Sequence, residues 1–214
     1  MKPRNRYSRG DMKRHSFTLV EMLLVLVITG ILLALVFPAF ERLSLGSGVD
    51  AAARMVGAQL RLARAYAISN RVRVALLMPR SNDPVTGRRF SAFRACQVDA
   101  ANKWVAWIPN TKWEMLPAGA VIAEADTLPK CGNPTAEDGN TSYVTSVDTF
   151  SSQVRAIIFK PNGQLVGNVD ADGKRYVSVV EGFYLFPAIN CTIRNAKNLI
   201  DISVDAYTGR VSYE

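Results

Sequence analysis

Glu21 is the only charged side chain in residues 17–40, which read FTLVEMLLVLVITGILLALVFPAF. A carboxylate at bilayer depth costs roughly 2.5–3.5 kcal/mol or more, so an acid kept there is a functional candidate. The chemistry open to it is charge pairing: an amine brought into the same low-dielectric layer would cancel both charges. The other reactive side chains are three cysteines, Cys96, Cys131 and Cys191, far apart and without metal-site spacing. In an oxidising compartment they are expected to give one disulfide and one thiol, with all three pairings open.

Catalysis finds little support. The only histidine, His15, lies ahead of the apolar run. That removes Ser-His-Asp and Cys-His arrangements and histidine metal sites from the rest of the chain. No phosphate-binding or dinucleotide fingerprint occurs. The reading is therefore of a non-enzyme with no cofactor and no metal. Residues 168–173, NVDADG, match the opening half of a calcium loop. Val179 then stands where a bidentate Glu is needed, and Lys174 and Arg175 would repel a cation, so a hairpin turn is expected. Trp104, Trp107 and Trp113, interleaved with Lys103 and Lys112, form a pattern that can stack on single-stranded nucleic acid. Core packing is the preferred reading, and Arg80, Arg88 and Arg89 make only a modest positive patch.

The elements around these residues follow from periodicity and charge. Residues 1–16 hold six basic side chains against one acid, more than half of the net charge of +8. The high pI is thus largely a short basic leader and argues little for nucleic acid. Residues 17–40 as a helix would span roughly 36 Å, enough for a bilayer core of about 30 Å. The basic flank keeps the N-terminus cytoplasmic. A cleaved secretory signal fits less well, because the run is long and no A-x-A site follows closely. Gly30 and Pro38 are natural places for a kink or local melting. Gly46-Ser47-Gly48 predicts a break, with Asp50 capping an amphipathic helix over 50–69. Ala52, Met55, Val56, Ala63, Tyr66 and Ala67 share its apolar face, with Leu60 and Leu62 on the flanks and Arg54 and Arg61 opposite. Strands are predicted at 72–78, 90–98, 104–108, 154–160, 176–186, 199–204 and 210–213, and a long polar loop over 124–152. The fold class is α+β: a long N-terminal helix, then a mostly antiparallel β-domain. The domains are a leader (1–16), the helix (17–70) and the β-domain (71–214).

Ser16-Phe17-Thr18-Leu19-Val20-Glu21 resembles the class III prepilin cleavage motif, although that family prefers Gly where this chain has Ser16. The resemblance implies that prepilin peptidase cuts between Ser16 and Phe17 and methylates the new Phe17 amine, and that Glu21 serves assembly. Residues 60–68 (LRLARAYAI), the strand after them, Phe159-Lys160-Pro161-Asn162-Gly163 and Thr208-Gly209-Arg210-Val211 resemble the H-type pseudopilin and FimT/FimU minor pilin family. This implies a minor pseudopilin of a type II secretion system, near the tip of a periplasmic pseudopilus, with other pseudopilin or pilin subunits as partners. It would be a single-pass inner-membrane protein with its C-terminal domain in the periplasm. The alternative is a minor type IV pilin subunit, including one that binds DNA for uptake. Some FimT-like pilins bind DNA through a second Arg two residues after the first. Here Ser212 takes that place and Glu214 adds negative charge, so nucleic acid is disfavoured.

Overall fold

The computed structural model describes residues 18–123, 142–148, 150, 153–167, 172–188 and 191–214, with backbone alone over 35–47. Ser16, Phe17, Cys131, Asn168 and Asp170 lie outside the described residues. The chain divides into two compact units, Met1–Arg42 and Leu43–Glu214. Helix α1 is assigned over Leu19–Asn70, running through both Gly30 and Pro38 and through the Gly46–Gly48 stretch where a break was expected. Within the second unit the reason for Gly48 is packing. A Cβ there would sit 3.1 Å from the Ala118 carbonyl oxygen, so the glycine lets the turn at residues 118–119 close on the helix. Asp50 is correspondingly inside the helix rather than its cap, and its carboxylate pairs with Arg54 one turn on, at 2.9 Å. The helix ends where Arg71 enters the left-handed region (φ 55°) and the Val72 N–H returns to the Ala67 carbonyl. This is a Schellman-type stop made without glycine.

In the second unit the described residues form ten strands after the helix: β1 Arg73–Leu77, β2 Ala92–Val98, β3 Trp104–Trp107, β4 Glu114–Met115, β5 Ala120–Ile122, β6 Ser142–Val144, β7 Val154–Phe159, β8 Lys174–Phe183, β9 Thr192–Asp205 and β10 Val211–Tyr213. All ladders between them are antiparallel. One sheet runs β3-β2-β1-β7-β6 with β4 added on β2; the other runs β10-β9-β8-β5. The first sheet closes on itself. Lys103 and Thr145 form a parallel bridge, the Trp104 N–H donates to the Thr145 carbonyl, and the Thr145 N–H donates to Asn102. Strand β6 and this seam fall within the stretch predicted as loop. Its short, Thr- and Ser-rich sequence carries no alternating apolar signal, and only pairing with β7 makes it a strand. Strand β9 also starts at Thr192, well before the predicted 199. Its first residues are exposed and polar, and they are extended only because they ladder with β8 across a bulge near Glu181.

Alternation on β1 explains the core. Val74 and Leu76 enter a cluster with Val56, Leu60, Ala63, Phe93, Phe159 and Ile202. This layer joins the second-unit part of α1 to both sheets. Ala75 and Leu77 point the other way, into the interior of the closed sheet, with Cys96, Val98, Val154 and Ile158. A strand buried on both faces reads as a continuous apolar run, as Val74–Met78 does. On α1, Leu60 and Ala53 are in the core, whereas Leu62, expected on the flank, is 48% exposed.

Candidate assembly site

At the start of α1, Thr18 and Glu21 bond reciprocally. The Glu21 Oε2 accepts from the Thr18 N–H at 2.9 Å and from its hydroxyl at 3.1 Å, and the Glu21 N–H donates to Thr18 Oγ1 at 3.2 Å. This is a capping box: two helix donors that would otherwise need water are satisfied by side chains. The Thr-x-x-Glu spacing was visible in the sequence, but its capping role was missed. No hydrogen bond to Glu21 Oε1 is present among the described residues, so one oxygen caps the chain's own helix and the other faces outward. Beyond it the helix is apolar on every side: Leu19, Leu23, Leu26, Ile28 and Leu32 are each between 49 and 81% exposed. Its one hydroxyl in this stretch, Thr29, donates to the Val25 carbonyl at 2.6 Å and needs no solvent. Among the described residues, no helix is long and apolar enough to cross a membrane.

The second unit gathers the family-like segments at one place. Gly163 and Gly209, both at positive φ (83° and 66°), end two turns that stack against each other. A Cβ on Gly209 would run into the Gly163 carbonyl and lie 2.7 Å from Arg64 Nε; one on Gly163 would lie 2.8 Å from Ile68 Cδ1. The α1 segment, the Pro161-Asn162-Gly163 turn and the Thr208-Gly209 turn therefore form one helix-to-sheet lock. Asp205 holds the second turn, accepting from the N–H groups of Thr208 (2.7 Å) and Tyr207 (3.1 Å) and from the Thr208 hydroxyl (2.8 Å). The Thr208 bonds, backbone first, hold its carboxyl below the usual range.

The remaining candidates are structural. Cys96 is fully buried in the closed sheet, and burial pushes its thiol up to about 12. Cys191 is buried in a separate cluster with Phe90 and Val180. The tryptophans pack edge to face in series, Trp104 to Trp107 at 5.7 Å and Trp107 to Trp113 at 5.8 Å, against the closed-sheet core. Gly173, at φ 72°, leads into β8. Among the described residues, no group of His, Cys, Asp and Glu is placed to hold a metal ion. Glu214 continues the β10 pairing, exchanging both backbone bonds with Asp201, and its side chain meets Lys174 at 2.7 Å.

Residues 11–37 match the family model for the prokaryotic N-terminal methylation motif. The chain is pilin-like at its N-terminus. No curated protein matches the chain. Among solved structures, the type IV minor pilin FimU of Pseudomonas aeruginosa is similar at 15% identity, with a TM-score of 0.45, over 78% of this chain and 87% of that one.

Proposed function

We propose that this chain is a membrane-anchored structural subunit of a type IV pilus-like filament. It is cut by prepilin peptidase between Ser16 and Phe17 and methylated on the Phe17 amine. The observation that carries the reading is the methylation motif over residues 11–37, which ends in a helix whose exposed surface is apolar all round except for Glu21. Such a helix is stable only in lipid or packed among other helices. The two settings correspond to a stored subunit and an assembled one. In the bundle, the outward oxygen of Glu21 takes the Phe17 ammonium of a neighbour, which sets the axial stagger. The domain after the helix lies in the periplasm.

Within this class we read the chain as a minor pseudopilin of a type II secretion system, near the filament tip. The lock formed by α1, Gly163 and Gly209 serves a FimT/FimU-like minor pilin equally well, so deletion decides: loss of secretion supports the pseudopilin and loss of pili the minor pilin. The test of the class itself is N-terminal mass spectrometry of the protein extracted from membranes. A methylated Phe17 start is expected. An intact Met1 start, or one beyond Pro38, overturns the reading.

A further inference from the structure

The β-domain carries three arginines set over aromatic rings. Arg94 lies 3.9 Å from the Trp107 centroid, Arg88 4.8 Å from that of Trp113, and Arg89 5.3 Å from Phe186 and 5.7 Å from Tyr184. Each guanidinium is pinned a second time. Arg94 donates to the Thr111 carbonyl at 2.8 Å, and Arg89 to the Asp83 carbonyl at 2.7 Å and the Tyr184 hydroxyl at 3.0 Å. Among the described residues one carboxylate serves the group, Asp83, and it is fully buried on Arg88 at 3.2 Å. Asp83 also acts on Arg89 through space, so two of the three cations share one carboxylate, and among the described residues no ion pair joins Arg94 to an acid. Arg94 in addition has a buried Nε without a hydrogen-bond partner. Burial, and further down Arg88 nearby, lower its pKa from the ordinary arginine value. Partly desolvated cations beside one another that outnumber their carboxylate are stabilised when a further anion arrives. Beside Arg89 the Phe186 ring is 67% exposed, and its chain neighbour Leu185 is 62% exposed.

We propose that this arginine–aromatic band docks a carboxylate-bearing segment of a neighbouring protein subunit, Arg89 and Arg94 forking its acids and Phe186 and Leu185 packing beside them. The composition is that of an interface hot spot, rich in Trp, Tyr and Arg and already ordered. Charge complementarity selects the occupant: the cations outnumber their acid, and planar forks suit carboxylates. Nucleic acid is the poorer occupant. The face of Trp107 is covered by Arg94 and that of Trp113 by Arg88, and the rings meet edge to face, so neither of these tryptophans is set out for base stacking.

The inference takes from the proposed function only that the partner is a neighbouring subunit. Full-length protein in detergent is titrated with a fluorescent octaglutamate peptide and, separately, with oligothymidylate. Saturable, salt-sensitive peptide binding is expected, weakened about tenfold in Arg89→Gln and in Arg94→Gln and less in Arg94→Lys. Arg54→Gln, at an exposed helix position, leaves it unchanged. Thermal melts identify any variant that misfolds, and Arg94→Lys keeps the charge should Arg94→Gln do so. No peptide binding, an equal loss in Arg54→Gln, or tighter binding of oligothymidylate with quenching of tryptophan emission overturns the proposal. A chain correctly cleaved at Phe17 that ignores the peptide sinks this inference and leaves the filament reading standing.

Discussion

Glu21 performs two tasks that substitution can separate. Gln at the third helical position keeps a capping oxygen, whereas Leu keeps neither the cap nor the charge. If charge pairing drives assembly, Glu21→Gln lowers cross-linking to the filament as much as Glu21→Leu, while membrane levels of both are kept or improved. Peptidase cleavage is retained in each. Normal cross-linking with Gln would leave capping as the residue's whole role. Cys96 supports a second expectation. A fully buried thiol with its pKa pushed to about 12 does not react readily, so the pair expected to form in an oxidising compartment is Cys131 with Cys191. Alkylation without reductant should label no cysteine in the folded protein and Cys96 alone in the denatured one; three labelled thiols would place the domain in a reducing compartment. Asp205 supplies the pH dependence. Because its folded pKa is depressed, its support of the turn is fully present above the ordinary Asp value of about 3.9 and is lost as pH falls through the lower folded value. The Thr208 amide resonance should move on acidification below about pH 4 and should not move in Asp205→Asn.

At the scale of elements, the lock between α1 and its two turns is the most sensitive point. Gly209→Ala meets both a disfavoured φ and the Gly163 carbonyl, and should cost about 1–3 kcal/mol, read as a drop of several degrees in melting temperature. Leu62→Ala, on the exposed side of the same helix, should change stability by less than about 0.5 kcal/mol; equal losses at the two positions would mean that the turns do not bear on the helix. Much of this layer was legible. The apolar face of the 50–69 segment and the runs at 72–78 and 154–160 announce themselves by period, because burial on a regular element repeats. What stayed hidden was set by partners distant in sequence. Gly48 reads locally as a breaker, yet it answers to Ala118; β5 and β6 are too short to show a period; and the polar start of β9 is a strand because β8 lies beside it. The spacing of Thr18 and Glu21 was legible as a motif, and its capping geometry needed no more than the rule for helix starts. The arginine band was half visible: its tryptophans stood out, but Arg94 gave no sign of facing Trp107.

For the whole molecule, charge divides by segment: a strongly basic stretch of sixteen residues ahead of the apolar helix, and a β-domain in which Arg88, Arg89 and Arg94 have among the described residues one carboxylate, Asp83, in their group. Removal of the leader takes away more than half of the net charge. The processed protein should therefore elute earlier from a cation exchanger than the unprocessed Ser16→Asp form, with the position of Phe17 checked by mass.

The bridge between Lys103 and Thr145 has a consequence for how copies of this chain can be joined and taken apart. Where the Trp104 and Thr145 N–H groups make their bonds, the facing main-chain groups are already spent, and two copies cannot zip together at that point of the seam as fibrous aggregates do. Cohesion through this face must come from side chains, which let go one at a time. In the filament proposed above, subunits that meet at this seam can part without unravelling either one.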